Sequence, residues 1–192
     1  MDWRYIMIAG LLMLIFGRKK FIPYQYNKTI FDVDYSKLYE IGCRYILTDL
    51  DNTLVTYIER MPSEKLISWR DELKQLGFTI MIVSNSHSNR VKEFAEAIDL
   101  PCQYGSLKPT KKGFKKAVKA LGITDYSQVV VLGDQILTDI LGGNRMGFKT
   151  ILIKAIDRES EVFSTRFNRR FERKIVKRIK KNDPNGVLKD YE

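Results

Sequence analysis

The sequence has few histidine and cysteine residues, on which several enzyme classes and small disulfide-rich or zinc-binding folds depend. His87 is its single histidine, which excludes multi-histidine metal sites and leaves a Ser-His-Asp triad only this residue. Its two cysteines, Cys43 and Cys102, lie far apart and form no Cys-x-x-Cys pair. A disulfide scaffold is therefore excluded, and a structural zinc site is not expected. The 192 residues predict one domain with room for an appendage.

No apolar run is long enough to cross a bilayer as a helix. The run from Tyr5 to Phe16 has twelve residues, whereas a spanning helix needs about 20. Only Arg4 precedes the run as a basic residue, no small-residue cleavage site follows it, and it continues into the basic cluster Arg18–Lys20. We expect an interfacial membrane anchor with that cluster on the cytoplasmic side. The alternatives are an over-extended start, a segment packed on the domain, and a signal peptide.

Acidic side chains are too few to balance the basic ones. There are 33 Lys and Arg residues against 23 Asp and Glu residues, and the net charge is +10. The segment from Arg158 to Lys181 carries +7 of this charge. Such a chain attracts anionic partners such as nucleic acid, an acidic membrane face or phosphorylated substrates.

Within this basic segment, apolar residues recur every four positions from Phe163 to Ile179. The spacing predicts an amphipathic helix with aromatic residues on its apolar side. We expect this helix to bind an anionic membrane surface. Docking of the apolar side on the rest of the domain and binding of nucleic acid are the alternatives.

From residue 45 onward, short apolar runs alternate with helical patterns, which predicts an α/β fold with a parallel sheet flanked by helices. The runs predict strands at 45–48, 79–83, 129–132 and 150–153. The helical patterns predict helices from Ser63 to Gly77, around Val91 to Ile98, from Thr110 to Gly122, and from Ile136 to Gly142-Gly143. Residues 21–44 show no clear period.

Polar side chains follow the predicted strands, at the edge where parallel sheets bind ligands. Several carboxylates, one hydroxyl and one ammonium converge there. Such an acidic cleft implies a hard divalent cation with oxygen ligands, most simply Mg²⁺. Lysine and hydroxyl donors beside the cation suit a phosphoryl group. The side chains that follow the strands are Asp49, Asp51, Thr53, Ser84, Asn85, Asp134 and Asp139, and Lys108 lies between them in sequence, before the third predicted helix.

These residues resemble, in order, the four motifs of the haloacid dehalogenase superfamily of phosphatases. The segment Asp49–Thr53 is similar to the DxDxT motif, and Ser84, Lys108 and Gly133–Asp139 are similar to the second, third and fourth motifs. The resemblance implies a Rossmann-like fold. The pair at residues 32 and 34 lacks a following threonine and a preceding apolar strand, and we interpret it as surface or turn residues.

The resemblance also implies catalytic roles. Asp49 would attack phosphorus and form an aspartyl-phosphate. Asp51 would protonate the leaving oxygen and then activate water. Asp49, Asp134 and the backbone carbonyl of Asp51 would hold Mg²⁺. Asp139 would reach the metal through water or orient Lys108.

The remaining residues would bind the phosphoryl group. Ser84 and the backbone near Asn85 would donate hydrogen bonds to it, and Lys108 would neutralise charge on the nucleophile and the phosphate. Thr53 would steady the loop of the first motif. We expect His87 to be incidental, and a contact with the substrate is the alternative.

Members of this superfamily usually carry a cap domain after the first motif or between the second and the third. Residues 54–83 and 85–107 are occupied by predicted elements and leave no room for an insert of about 50 residues. We therefore expect a capless, C0-like enzyme with an open site. An open site suits a phosphate on a lipid, a nucleic acid or a protein.

Two further segments, Ile30–Asp34 and Thr165–Arg170, resemble the YqeG-type group of subfamily IIIA, which also contains phosphatidylglycerophosphate phosphatases. The resemblance covers residues 21–181. It implies a Mg²⁺-dependent phosphomonoesterase that converts phosphatidylglycerophosphate to phosphatidylglycerol at the cytoplasmic membrane face. The alternatives are a soluble nucleotide or sugar-phosphate phosphatase, and a non-enzymatic RNA- or ribosome-binding protein that uses the basic tail. Nucleic acid is not the partner we expect.

The predicted domain organisation has three parts. Residues 1–20 form an apolar segment with a basic cluster, residues 21–155 form the phosphatase domain, and residues 156–192 form the basic helix and tail.

Overall fold

The computed structural model describes residues 11–86, 89–159, 161 and 163–191. Its centre is a six-stranded sheet of order β1-β6-β5-β2-β3-β4, in which all neighbouring strands are parallel. This architecture confirms the predicted α/β fold. The strands are β1 (Gln25–Asn27), β2 (Tyr45–Thr48), β3 (Thr79–Val83), β4 (Cys102–Gln103), β5 (Val129–Gly133) and β6 (Lys149–Ile153).

Helices connect the strands and cover the sheet. Short 3₁₀ turns lie at Arg18–Phe21, Ile30–Asp32 and Tyr126–Gln128, and a π-helical turn at Ile136–Ile140 leads into the fifth helix. The α-helices that follow β1 are α1 (Tyr35–Glu40), α2 (Glu64–Gln75), α3 (Asn89–Ala97), α4 (Lys111–Ala120), α5 (Leu141–Met146) and α6 (Phe163–Asn182).

Four strands agree with the sequence prediction, and the two outermost strands were not predicted. β1 has three residues and β4 has two, all of them half-buried. Strands this short at a sheet edge carry neither an apolar run nor a clear alternation, so periodicity does not detect them.

The carboxylates at residues 32 and 34 form hydrogen bonds with residues three positions away in the sequence. Asp32 forms a reciprocal capping box with Thr29, and the Asp34 side chain accepts a hydrogen bond from the Lys37 backbone at the start of α1. Ser63 caps α2 in the same way, through the Leu66 backbone. The interpretation of residues 32 and 34 as turn residues is confirmed.

The prediction that Gly142-Gly143 ends a helix is wrong. Both glycines lie inside α5, which ends at Gly147 with a φ of 88°. A Cβ atom on Gly143 would lie 2.6 Å from Cγ2 of Thr150, and one on Gly142 would lie 2.8 Å from the Phe114 ring. The pair therefore allows close packing of α5 on β6 and α4, and it does not terminate the helix.

Side chains on the two faces of the sheet form separate apolar clusters. On one face, Ile46, Ile82 and Leu132 pack against α1, α2 and α3. On the other face, Leu47 and Val131 pack against α4, while Leu152 packs against the π-helical turn and α6. The site residues lie at the carboxyl ends of the strands, beyond these apolar clusters.

The apolar side of α6 docks on the sheet. Phe171, Ile175 and Ile179 are buried, whereas Phe167 is 42% exposed. Residues 11–16 are helical and join the same cluster through Met13. The described parts of the first and third predicted segments therefore share a core with the sheet, and the three-part division stays a prediction.

Among the described residues, no helix combines the length and the apolar character that a membrane span requires. Half of the apolar run from Tyr5 to Phe16, residues 5–10, lies outside the described residues, as does His87.

Candidate active site

The predicted site side chains meet at the carboxyl ends of β2, β3 and β5, around a cavity of about 350 Å³. Thr53 is buried away from this cavity and lines a separate one. The predicted residues that line the catalytic cavity are Asp49, Asp51, Ser84, Asn85 and Lys108, and the others along it are Tyr57, Ser86, Gln135, Thr138, Thr165 and Asn168.

The backbone after β2 turns both carboxylates of the first motif toward the cavity. The Asp49 N–H continues the sheet by donating to Leu132 O at 2.9 Å. Asn52 then takes a φ of 63°, and its N–H donates to Val55 O at 2.7 Å. This tight turn places Asp51 on the same side of the loop as Asp49. The Thr53 hydroxyl forms no hydrogen bond to the described residues.

Lys108 lies between two carboxylates. Its Nζ donates to Asp49 Oδ1 at 2.7 Å, to Asp139 Oδ1 at 2.6 Å and to the Val83 carbonyl at 2.7 Å. Burial alone would lower the pKa of Lys108, but Asp139 and Asp49 outweigh burial and raise it. The ammonium therefore stays charged, and Asp139 is positioned to orient it, as one of the two predicted roles requires.

Asp49, Asp134 and Asp139 form a buried carboxylate cluster whose oxygen atoms lie within 4.8 Å of one another. Oδ1 of Asp134 is buried and accepts no hydrogen bond from the described residues. An unpartnered buried acceptor among converging carboxylates fits a hard divalent cation. Asp49, Asp134 and Asp139 are the residues that could hold it.

Burial also shifts the titration of these carboxylates. Burial raises the pKa of Asp49 to about 7, with Lys108 opposing this effect and Asp139 and Asp51 adding to it. Burial likewise raises the pKa of Asp134, against the opposing charge of Arg169. A bound cation would favour the ionised form of both groups.

The loop after β3 is joined to the Lys108 segment through Asn85. The Asn85 side chain accepts a hydrogen bond from the Lys108 N–H at 2.6 Å and donates to its carbonyl at 3.0 Å. The hydroxyl of Ser84 is buried and accepts a hydrogen bond from the Ser86 N–H at 3.1 Å. The side-chain amide of Asn85 thus holds Lys108 in place, and the neighbouring Ser84 and Ser86 line the cavity.

Arg90 is a site residue that the sequence analysis missed. It lies in the first turn of α3 and donates through Nη1 to Asp51 Oδ1 and through Nη2 to the Thr56 and Glu59 carbonyls at 2.8 Å. Burial raises the pKa of Asp51, and Arg90 opposes the rise. The signal in the sequence was an arginine five residues after Asn85, at the start of the helix that follows the site loop.

Arg169 is the second missed residue. It extends from α6 and contacts Asp134 twice, through Nη2 to Oδ2 and through Nη1 to the carbonyl at 2.6 Å. It also donates to Glu161 Oε1 at 2.8 Å and to Glu172 Oε2 at 3.1 Å. In the sequence, Arg169 is one of many basic residues of the predicted helix, and its local signal is Glu172 three residues later.

A buried carboxylate held by a lysine, a second carboxylate held by an arginine, and a carboxylate cluster suited to a divalent cation are features that fit a phosphoryl-transfer enzyme. A model of the haloacid dehalogenase-like hydrolase family matches residues 14–147. The chain belongs to this family, and it is a phosphatase.

Curated relatives agree with this assignment. The chain is 42% identical over 164 residues to the Bacillus subtilis (strain 168) protein named Probable phosphatase YqeG, covering 85% of this chain and 94% of that protein. It is 26% identical over 180 residues to Phosphatidylglycerophosphate phosphatase 1, chloroplastic/mitochondrial, of Arabidopsis thaliana, covering 89% and 51%. It is 28% identical over 112 residues to Glyceraldehyde 3-phosphate phosphatase of Pyrococcus abyssi, covering 54% and 46%. The chain thus spans about half the length of the latter two relatives.

Proposed function

We propose that this phosphatase removes the phosphomonoester of phosphatidylglycerophosphate at the cytoplasmic face of the membrane, giving phosphatidylglycerol. The observation that carries the proposal is the position of α6. Its residues Thr165 and Asn168 line the catalytic cavity, while the solvent face of the same helix is basic. The similarity to the phosphatidylglycerophosphate phosphatase of Arabidopsis thaliana supports the substrate.

Asp49 and Asp51 carry out the reaction in two displacements. In the first, a carboxylate oxygen of Asp49 attacks phosphorus, the bond from phosphorus to the leaving oxygen breaks, and Asp51 gives its proton to that oxygen. In the second, Asp51 takes a proton from water as the water oxygen attacks phosphorus. The bond to Asp49 breaks, inorganic phosphate leaves, and both carboxyl groups return to their starting states.

Positive charge and hydrogen-bond donors hold the phosphoryl group during both steps. The Lys108 ammonium contacts Asp49 directly, so it neutralises charge where the phosphoryl group becomes attached. Ser84 and Ser86 line the same cavity and would supply further hydrogen-bond donors.

Mg²⁺ is the cation that we expect, held by Asp49 and Asp134 with Asp139 beside them. When bound, it supplies positive charge that offsets the charge of the phosphoryl oxygens. Asp139 has a second task that needs no metal, since its Oδ1 accepts a hydrogen bond from Lys108.

The membrane contact would use the exposed side of α6 together with residues 11–20. Leu14 is 82% exposed and Ile15 is 63% exposed, and the basic residues Arg18 and Lys19 follow them. Each cation near an anionic surface contributes about 1 kcal/mol of binding free energy. The exposed basic side chains of α6 are Arg166, Arg170, Arg173, Lys177, Arg178 and Lys181.

A soluble phosphomonoester is the second candidate, and one observation favours it: the Pyrococcus abyssi relative is named for a small three-carbon phosphate. A cavity of about 350 Å³ is large enough for such a molecule. With such a substrate, the catalytic residues would have the same roles, and the phosphate would come from a soluble molecule instead of a lipid.

Phosphate release from phosphatidylglycerophosphate in mixed micelles, compared with a panel of soluble phosphomonoesters, tests the proposal. We expect Mg²⁺-dependent turnover with a strong preference for the lipid. Asp49→Asn is the matched control, because it removes the nucleophile and keeps the side-chain shape, so turnover should vanish while the fold persists. Preference for a soluble ester would overturn the lipid substrate, and turnover by Asp49→Asn would overturn the mechanism.

A further inference from the structure

The two carboxylate oxygens of Asp134 have different surroundings. Oδ2 accepts a hydrogen bond from Nη2 of Arg169, and Nη1 of the same guanidinium group donates to the Asp134 carbonyl at 2.6 Å. Oδ1 is buried and accepts no hydrogen bond from the part of the chain that the structure describes. The carboxylate is thus held through one oxygen, and the other is the oxygen that a cation at the carboxylate cluster could use.

The guanidinium group of Arg169 is itself fixed from several directions. Nε and Nη2 donate to Glu161 Oε1 at 3.0 and 2.8 Å, and Nη1 donates to Glu172 Oε2 at 3.1 Å. Glu172 is anchored in turn, because its Oε1 accepts a hydrogen bond from the Leu137 N–H at 3.0 Å. Each nitrogen of the guanidinium group therefore donates to a defined acceptor, and a rotation of the Asp134 carboxylate would break its charge-assisted hydrogen bond.

The other two carboxylates of the cluster also have one oxygen engaged by a basic side chain. Lys108 donates to Oδ1 of Asp49 at 2.7 Å and to Oδ1 of Asp139 at 2.6 Å. Oδ2 of Asp139 accepts hydrogen bonds from the Gln135 N–H at 3.2 Å and from the Thr138 hydroxyl at 3.1 Å. The arrangement favours coordination through single carboxylate oxygens over coordination through both oxygens of one carboxylate.

Single carboxylate oxygens distinguish between divalent cations of different size. Mg²⁺ requires near-octahedral geometry with oxygen ligands at about 2.0–2.1 Å, and it usually keeps several water ligands. Ca²⁺ takes about six to eight oxygen ligands at about 2.3–2.6 Å and readily binds both oxygens of a carboxylate. A carboxylate whose second oxygen is held by a guanidinium group therefore suits Mg²⁺ and withholds a ligand from Ca²⁺.

We propose that Arg169 is a positioning residue that holds Asp134 as a single-oxygen ligand and thereby favours Mg²⁺ over Ca²⁺ at the carboxylate cluster. Arg169 acts through Asp134 and is not a catalytic residue. The inference rests on the cation site of the proposed function, and it is independent of whether the substrate is a lipid.

The ratio of the Ca²⁺ and Mg²⁺ dissociation constants separates this role from simpler effects of Arg169. Removal of the guanidinium charge would strengthen the attraction for both cations alike, because both carry the same charge. A loss of folded protein would lower the binding of both in the same proportion. A change in the ratio therefore reports the orientation of Asp134.

Competition against Mn²⁺ measures both dissociation constants without substrate or turnover. Mn²⁺ accepts carboxylate ligands, and electron paramagnetic resonance detects the Mn²⁺ that remains free. Displacement of bound Mn²⁺ by MgCl₂ and, separately, by CaCl₂ gives the two constants. Asp134→Asn identifies the site that is measured, because Mn²⁺ should bind this variant much more weakly.

In Arg169→Gln, the ratio of the Ca²⁺ to the Mg²⁺ dissociation constant should fall about tenfold or more, since loss of a residue that orients a metal ligand commonly changes metal affinity by about 10–100-fold. Arg178→Gln removes an exposed charge from the same helix and should leave the ratio unchanged. A wild-type ratio in Arg169→Gln would overturn the role of Arg169 alone. Absence of Mn²⁺ binding to the wild-type chain, or equal binding to Asp134→Asn, would overturn the cation site as well.

Arg169→Lys is the second variant, and it decides the question if Arg169→Gln does not fold by circular dichroism. It keeps the positive charge among the buried carboxylates but lacks the planar pair of donors that contacts both the carboxylate and the carbonyl of Asp134. The ratio should therefore fall in this variant too. A wild-type ratio in Arg169→Lys would show that charge suffices and would overturn the positioning role.

Discussion

Each carboxylate of the first and fourth motifs that was proposed for catalysis or metal binding contacts a basic side chain. Lys108 contacts Asp49, Arg90 contacts Asp51, and Arg169 contacts Asp134. A buried charge is stable only with a partner, because the loss of water costs more free energy than an isolated ion can recover. Each catalytic carboxylate therefore depends on one particular cation, and removal of that cation has an effect that can be predicted.

Arg90 sets the protonation of Asp51. Its positive charge opposes the burial that raises the pKa of Asp51, so Arg90→Gln should raise that pKa further. In the proposed mechanism Asp51 must be protonated to release the leaving group, so the alkaline limb of the kcat/KM profile should move to higher pH. The measurement is a pH–rate profile on a soluble phosphomonoester. Arg90→Lys keeps the charge and should shift the limb less, and a shift to lower pH in Arg90→Gln would contradict this role.

Arg169 neutralises three buried carboxylates, those of Asp134, Glu161 and Glu172. Arg169→Gln would leave them without their shared cation, and breaking a buried pair in this way costs about 3–5 kcal/mol of unfolding free energy. Denaturant unfolding without divalent cation measures the loss. Arg178→Gln, which removes an exposed charge from the same helix, should change the free energy of unfolding by less than about 0.5 kcal/mol. Equal effects of the two variants would contradict the pairing.

Among the elements, α5 packs so closely that its glycines leave no space for a side chain. A Cβ atom on Gly143 would meet Thr150 at 2.6 Å and Val131 at 3.1 Å. Gly143→Ala should therefore destabilise the protein by about 1–3 kcal/mol through overpacking, although alanine favours a helix. Chemical denaturation measures this change, with the exposed substitution Lys116→Ala on α4 as control. A stabilised Gly143→Ala variant would show that α5 can move away from β6.

The helices illustrate what periodicity predicts and what it does not. Ser63 and the apolar positions of α2 specify a helix from local chemistry alone, and the structure has that helix from Glu64 to Gln75. The same kind of pattern predicted α6 but could not select between a membrane surface and the sheet as the partner of its apolar side. Ile175 and Ile179 are buried in one cluster with Leu152 of β6, and that contact is a property of the assembled sheet.

At the scale of the whole molecule, we expect divalent cation and protons to compete for the carboxylate cluster. Burial raises the pKa of Asp49 to about 7, while an unfolded aspartate titrates near 4. In the metal-free protein, the stability contributed by this group is full below about pH 4 and is lost as the pH rises to about 7. A cation reverses the loss, because it binds the ionised carboxylates.

Thermal unfolding with and without MgCl₂ tests this competition. The increase in Tm caused by Mg²⁺ should be larger at about pH 8 than at about pH 5, where the cation must displace protons. Asp134→Asn removes one proposed ligand charge and should abolish most of the increase. An increase in Tm that is independent of pH, or that persists in Asp134→Asn, would contradict the assignment of the carboxylate cluster as the cation site.

The sequence by itself determined the α/β architecture and the positions of the catalytic side chains along the chain. Strand periodicity and capping act over a few residues, and a side chain that follows a parallel strand must lie at the carboxyl edge of the sheet. For this reason, Asp49, Ser84 and Asp134 could be placed at one edge of the sheet. Lys108 follows a strand that was not predicted, and it was included because it resembles the third motif.

Only the tertiary structure decided which cations neutralise the catalytic carboxylates. Arg90 and Asp51 are 39 residues apart in sequence, and Arg169 and Asp134 are 35 apart. Their pairing depends on distance in space, because the electrostatic attraction of buried charges falls with separation and has no sequence period. The same cause makes α6, which the sequence presents as a basic surface helix, a part of the catalytic centre.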